Sequence, residues 1–275
     1  MKKNLRILSL GAGVQSSTLA LMIEKGEIPM VDAAIFADVG AEPKKVIKWL
    51  DFLKKKVSFP VYIVQWRNLK QDIIDASKGE YKSFSAPFFT QNIITGKKGM
   101  IRRMCTTDYK IKPVTKKIRE LLGYKKGERV KKETKVELLM GISIDEVQRM
   151  KTNKLKYITN IYPLIDNKLT RNDCIKWMNN NNYPTPPRSA CTFCPFHSNK
   201  EWIEVKKDKD EWNEVIKIDN LIRSNIRFNK SAGSEKLKDK LFLHRDLKPI
   251  NEIDFNKKTD QLDLFNNECE GMCGV

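Results

Sequence analysis

Two groups of residues in this chain of 275 have the type and spacing to do chemistry. The first is the turn Ser9-Leu10-Gly11-Ala12-Gly13-Val14-Gln15-Ser16-Ser17, small residues set between an apolar run and a helical pattern. Without bulky side chains, backbone N–H groups can close on an anion there, and the following helix N-terminus adds positive potential. Ser16 and Ser17 offer further donors. The turn is not a Walker A loop, lacking Gly-Lys-Ser/Thr, nor a dinucleotide fingerprint, lacking the third glycine. Small residues also serve tight helix-on-sheet packing, so the turn needs support from its neighbours. The second group is cysteine. Cys191-x2-Cys194 places two thiolates where they can share one metal, and Cys269-x3-Cys273 is a similar pair far along the chain. Four thiolates suit zinc or a [4Fe–4S] cluster, and spacing alone does not choose.

Charged residues could complete a site around the turn. Arg102, Arg103 and Lys110 could hold a phosphate or sulfate through guanidinium forks and an ammonium; the other reading is a solvated basic face. Asp38, at a strand end ahead of Gly40, either contacts a ribose or metal or caps the helix that follows. Asp145 and Arg149 stand one helical turn apart, facing one ligand or forming a local ion pair. Cys174 reads as a buried helix residue and His197 as a supporting or surface group. His244-Arg245-Asp246-Leu247-Lys248-Pro249-Ile250-Asn251 matches the protein-kinase catalytic loop, but 24 residues follow it, too few for the rest of a kinase lobe.

The elements that must position these residues read as strands alternating with helices. Residues 5–10 form a strand, with a helix through Leu19, Met22 and Ile23 that stops at Gly26. Residues 31–37 form a second strand, followed by a helix with Val46, Trp49, Leu50 and Leu53 on one face; residues 61–66 form a third. Between 79 and 105 periodicity fails and Tyr81, Phe84, Phe88 and Phe89 interleave with polar residues, the pattern of a long functional loop. A helix over 113–122 and a buried strand over 136–142 follow. Such alternation predicts an α/β fold, a doubly wound, mostly parallel sheet with helices on both faces, whose ligands bind beyond the carboxyl ends of the strands. From Thr170, paired with Asp173 as a helix cap, helices dominate. The expected division is a nucleotide-binding core over 1–165 and a helical, cysteine-bearing C-terminal region over 166–275.

The formal charge of +18 points to a polyanionic partner, a nucleotide, a nucleic acid or an acidic protein. The excess is uneven: residues 95–135 hold fifteen Lys or Arg against four acids. Met1 to Met22 is broken by Gly11, Gly13 and Gln15 and does not read as a secretory signal. No run approaches the roughly 18 apolar residues of a membrane span. The expectation is a cytoplasmic protein, in which six cysteines argue for metal or redox chemistry over disulfides. Oligomeric state is not legible.

Several segments together resemble the PAPS reductase-like branch of the adenine nucleotide alpha hydrolase (PP-loop ATP pyrophosphatase) superfamily, over roughly residues 4 to 200. Gly11-Ala12-Gly13-Val14-Gln15-Ser16-Ser17 is similar to its pyrophosphate loop, and Phe36-Ala37-Asp38-Val39-Gly40-Ala41-Glu42 to the segment after its second strand. Arg102-Arg103-Met104-Cys105 with Tyr109-Lys110-Ile111-Lys112-Pro113, Gly141-Ile142-Ser143-Ile144-Asp145-Glu146 with Arg149, and Cys191-Thr192-Phe193-Cys194-Pro195 resemble three further segments. The resemblance implies an adenine nucleotide, ATP or PAPS, held by Ser9, Gly11, Ala12, Gly13, Gln15, Ser16, Ser17, Asp38, Gly40, Glu42, Arg102, Arg103, Asp145 and Arg149. It implies a cluster held by Cys105, Cys191, Cys194 and a tail cysteine, here Cys273, with zinc the alternative. It also implies a catalytic thiolate at Cys269 or Cys273, assisted by Lys110. The loop departs from the pattern at Gly11, Ala12 and Gln15, and Gln15 replaces an aspartate tied to metal handling, which leaves Mg2+ dependence open. Three functions follow as expectations. One is sulfur transfer or sulfonucleotide reduction with a thioredoxin-like reductant or sulfur donor. Another is ATP-dependent thiolation or other modification of a nucleic acid. The last is a metal-bearing nucleic-acid-binding module without catalysis.

Overall fold

The structure, a computed structural model, describes residues 4–78, 86–224 and 239–257. Its frame is a five-stranded parallel sheet in the order β3-β2-β1-β6-β7, formed by Val61–Val64, Ala33–Ala37, Asn4–Leu10, Lys135–Met140 and Ile158–Ile161. β1 lies at the centre, Leu8 beside Ala34 on one side and beside Leu139 on the other. Alternation sorts its side chains between two cores, as a sheet covered on both faces requires. Leu8 and Leu10 pack with α1 (Val14–Glu24), α2 (Lys44–Lys56) and α6 (Arg171–Asn180), while Leu5 and Ile7 pack with Val114 and Ile118 of α4 (Lys112–Leu121). The doubly wound parallel sheet expected from the sequence is present.

The helix α1 is buried from Val14 to Ile23, polar residues included. It runs between the sheet and helices on either side, so Gln15, Ser16, Ser17 and Thr18 need partners inside the protein. Two are Trp49, whose Nε1 donates to Ser17 Oγ at 2.8 Å, and the Val14 carbonyl, which accepts from Thr18 Oγ1 at 2.9 Å. α2 buries Val46, Trp49, Leu50 and Leu53 and closes on Lys54, Lys55 and Lys56, where the helix dipole favours cations.

A second, antiparallel sheet has the order β5-β4-β8, from Lys98–Met100, Phe89–Asn92 and Asp239–Phe242. The stretch read as a long loop thus contains a hairpin, and residues 79–85, with Tyr81 and Phe84, lie outside the described residues. Phe88 packs with Leu241 and with Tyr109, Phe193 and Trp202 in a third core, to which α3 (Leu69–Lys78), α7 (Asn199–Lys206) and α8 (Lys209–Ser224) contribute. Residues beyond 166 share cores with the parallel sheet: Cys174 and Met178 lie with Leu19, and Phe193 and Trp202 with Val39 and Leu69. Thr170 and Asp173 form a reciprocal capping box at α6, and Ser198 and Glu201 form another at α7.

The kinase-like segment is structural. The Asp219 carboxylate accepts from the N–H of Ile250 at 3.0 Å and from Arg223 Nε at 2.8 Å, tying α8 to the segment after β8. His244 accepts the Asp246 N–H at Nδ1 and faces Asn199 Oδ1 with Nε2, the pattern of a neutral ring, and burial lowers its pKa.

Candidate functional site

The chain leaves β1 toward β2 and β3, then returns on the other side of β1 to form β6 and β7. Beyond the carboxyl end of β1 the connections part in opposite directions, which opens the crevice where parallel α/β sheets bind ligands. The turn Gly11-Ala12-Gly13 lies there. Ala12 takes φ of +58°, the left-handed region, at a cost of about 1–2 kcal/mol for a residue with a Cβ. The Gly11 N–H donates to Ser16 Oγ at 3.2 Å and the Ser17 N–H to the Gly13 carbonyl at 3.0 Å, folding the turn onto the helix it precedes. Gly13 caps α1 without a side chain, so the N–H groups of the first turn keep their donors for another partner.

Gly141, directly after β6, closes the other wall. A Cβ there would stand 2.6 Å from Ser16 Cα and 2.7 Å from Ser16 N, so only glycine lets the β6 connection lie against the start of α1. The close approach brings Ser143 and Glu146 to Gln15. Gln15 Nε2 donates to Ser143 Oγ and to Glu146 Oε2, both at 3.3 Å, and Glu146 Oε1 accepts from Arg149 Nη1 at 2.6 Å. Gln15 and Ser143 are wholly buried and Glu146 is 1% exposed. Reversing the Gln15 amide would set its oxygen against the Glu146 carboxylate, so the orientation is fixed and Oε1 faces the interior without a hydrogen-bond donor. Where relatives of the resembled branch carry a loop carboxylate, this chain places an amide, and a carboxylate reaches it from across the crevice. Glu146 sits at a break in the 3-10 turn Ile144–Arg149, with φ −118° and ψ 22°. The neighbouring Asp145 lies outside this network and accepts the N–H of Arg171 at 3.1 Å, at the start of α6.

Lys110 belongs to a π-helical turn, Thr106–Ile111, that leads into α4. It lies over the ends of β1 and β2, lining a crevice with Ser9, Gly11 and Ala37. The crevice leaves about 10 Å3, room for on the order of one water molecule. A phosphate therefore enters only as the Lys110 turn moves outward. π-Helical turns often stand at functional positions, where their i→i+5 pattern departs from regular helix.

Of the other expected ligand-binding residues, Asp38 Oδ1 accepts the Gly40 N–H at 2.7 Å and shapes the turn after β2. Gly40 has φ of +75° with the Asn68 side chain where its Cβ would be, so this turn also depends on glycine. Glu42 is half-buried just beyond it. Arg103 donates to Thr106 Oγ1 at 3.0 Å and lies 5.6 Å from the centre of the Phe196 ring, against the cysteine turn, and Arg102 is exposed. The structure thus brings Ser9, the glycine turn, Gln15, Arg149 and Lys110 to one end of the sheet. Sequence reading passed over Ser143 and Glu146; the i, i+3 spacing of Glu146 and Arg149 was the available signal.

The Cys191–Cys194 turn docks behind Ala41, whose carbonyl accepts the Thr192 N–H at 2.9 Å. Cys194 is buried with Ala190, while Cys191 and Cys105 both lie half-buried against the third core. Yet among the described residues no group of three or more His, Cys, Asp and Glu side chains is placed to hold a metal. Cys269 and Cys273 lie outside the described residues. The described residues do not fit a cluster or zinc.

His197 and Glu201 instead hold the cysteine turn as an ionic and hydrogen-bonded unit. His197 Nε2 lies 2.9 Å from the Cys191 carbonyl, and the Glu201 carboxylate pairs with Arg188 and accepts the Ser198 N–H. Burial opposes ionisation of Glu201, but His197, Arg188 and the Ser198 N–H outweigh it and hold the carboxyl down at about 2. A carboxylate with a depressed folded pKa contributes stability that is complete above its unfolded value, here 4.5, and is lost as pH falls toward 2. Urea unfolding of Glu201→Gln should therefore match the wild-type trend in that window with a shallower loss; identical slopes in both proteins would remove Glu201 from this role.

No family model matches the chain, and no curated protein matches it. Among solved structures, one similar chain is a phosphoadenylyl-sulfate (PAPS) reductase from Candida auris in a phosphate complex, 12% identical. The match covers 68% of this chain and 76% of that one, with a TM-score of 0.40. A likeness at that level carries no argument, and the fold rests on the sheet itself. Among the described residues no helix is long and apolar enough to cross a membrane.

Proposed function

We propose that the chain is a PAPS reductase-like enzyme that binds an adenine nucleotide with its phosphates on the Gly11–Ser17 turn and catalyses sulfur transfer or sulfonucleotide reduction. The observation that carries this is the placement of an uncapped helix N-terminus and a glycine turn at the point where the strand order reverses, with Lys110 over it. Backbone N–H groups and Lys110 would neutralise the phosphates. Lys110, moving with its π-helical turn, would follow the developing charge on the leaving phosphate. Arg149 is held from behind by Glu146, available to a group on the β6 side.

In this reading a tail thiolate, Cys269 or Cys273, attacks the sulfur of adenylyl-sulfate or its 3′-phosphorylated form. The sulfur–oxygen bond to the phosphate breaks, the nucleotide leaves with that electron pair, and the sulfur stays on the cysteine as an S-sulfonate. A thioredoxin-like dithiol then releases sulfite and is itself oxidised to a disulfide. Thioredoxin-dependent sulfite release from either sulfonucleotide should be lost in Cys269→Ser or Cys273→Ser. No release from either substrate by the folded wild type would sink the sulfonucleotide reading and leave nucleotide binding to be judged separately.

A second reading, ATP-dependent thiolation of a nucleic acid, is favoured by the basic stretch over 95–135 and by the lysine-bearing groove described below. ATP-to-AMP turnover that appears only with RNA or DNA present is its signature. The third, a nucleic-acid-binding module without catalysis, predicts strand binding with no nucleotide affinity.

A further inference from the structure

On the far side of Arg149 from the glycine turn, the ends of β6 and β7 enclose a cavity of about 230 Å3. Its inner wall is apolar, from Ile111, Met140, Ile142 and Leu155, with Thr107 and Thr115 from the π-helical turn and α4 opposite. It opens into a wider, shallower groove of about 540 Å3 that shares Lys151, Asn153 and Tyr162 with it and runs on past Met150 and Lys156. Arg149, Lys151 and Lys154 line the cavity, and neither lining includes an Asp or Glu. Among the described residues Lys151 and Lys154 have no carboxylate within ion-pair distance.

The lysines stand on a loop that is already ordered. Tyr162 OH donates to the Lys151 carbonyl at 2.8 Å and accepts the Lys151 N–H at 2.9 Å. Asn160 Nδ2 donates to the same carbonyl at 2.8 Å, and Asn153 bridges the Leu155 N–H and Asn160. Side chains of this kind are spent on shaping the loop, so the ligand meets a fixed backbone and little ordering entropy is lost on binding. The cavity is smaller than the roughly 300–1,000 Å3 of a site for a whole drug-sized ligand. It holds one ring-sized group, and the rest of the ligand must lie along the groove.

We infer that this cavity and groove bind a single-stranded nucleic acid, one base entering the apolar pocket beside Arg149 while Lys151, Lys154 and Lys156 track the phosphates. A closed apolar pocket that continues into an acid-free, lysine-bearing groove matches a strand with an apolar base face and a charged backbone. Glu146 joins Arg149 at the pocket to Gln15 at the glycine turn, so the inserted base lies beside the candidate nucleotide site. The inference deepens the nucleic-acid reading above and is independent of which nucleotide the turn takes.

The test is fluorescence anisotropy with labelled thymidine and uridine dodecamers over a salt series, without added nucleotide. Lys151→Glu/Lys154→Glu should weaken strand binding by about tenfold or more per cation and shallow the slope of log K against log salt by about 2. Thr115→Trp, which fills the pocket, should weaken binding and leave the salt slope unchanged. Strand affinity that survives both variants, or falls instead with Lys97→Glu/Lys98→Glu on the hairpin, overturns the inference. Binding of AMP or inorganic phosphate at Lys151 and Lys154 without strand binding overturns it equally. Because no nucleotide is present, failure here leaves the nucleotide proposal standing, and failure of that proposal leaves this one.

Discussion

Glu146→Ala should destabilise the protein by about 3–5 kcal/mol, the range for removing one member of a buried ion pair. The carboxylate is 1% exposed and its partner Arg149 12% exposed, so the guanidinium left behind has little water to turn to. Gln15 Nε2 loses one of its two acceptors in the same substitution. Replacing both charges, Glu146→Leu with Arg149→Met, should recover much of the loss, because matched apolar groups avoid the unpaired charge. Urea unfolding of the two single variants and the double variant measures the coupling. Additive losses would show that the pair is not a unit, and a Glu146→Ala change under about 1 kcal/mol would place its carboxylate in water.

Gly141→Ala is the second large effect. The added Cβ would fall within 3 Å of the Ser16 backbone, which cannot yield as a flexible side chain could. Overpacking of this kind costs about 1–3 kcal/mol, and here the strain falls on the first turn of α1. The expected outcome is a lower unfolding midpoint together with loss of nucleotide affinity, the second larger than the stability change alone explains. Gly127→Ala supplies the contrast: its φ of +88° strains any side chain, but nothing lies within 4 Å. Equal effects on nucleotide affinity from both substitutions would show that Gly141 acts through stability only.

The sheet was legible because periodicity reports burial. Leu5 to Leu10 and Val136 to Met140 are apolar runs bounded by glycine, and α2 carries its apolar face at helical spacing. The hairpin β4-β5 was not legible: its strands are short and polar, and their order is fixed by β8, nearly 150 residues away in sequence. β7 was missed for a similar reason, having four residues of which Ile158 alone is buried. At the site, the glycine turn was visible as composition, whereas the burial of Glu146 in place of Asp145 follows from one irregular residue in a 3-10 turn. Spacing along a chain cannot report such a break. The cysteines show the same limit from the other side, since Cys-x-x-Cys spacing fixes two thiols in a turn but not whether Cys105 comes to meet them.

Buried polar groups at the start of α1 have one economical explanation. Gln15, Ser16 and Ser17 are held by Ser143, Glu146, Gly11 and Trp49. Those hydrogen bonds fix the glycine turn and leave the helix N-terminus uncapped, a state that costs stability unless an anion completes it. Lys110, on an irregular turn above the crevice, is the charge positioned to accompany that anion.

The central claim is tested most directly by calorimetric titration of the folded protein with ATP, AMP and adenylyl-sulfate, in wild type and in Lys110→Glu. One adenine-nucleotide site should appear in the wild type and weaken by about tenfold or more in the variant, as expected when a hydrogen bond from a charged group to phosphate is removed. Absence of binding for every adenine nucleotide, or equal affinity in Lys110→Glu, would contradict it.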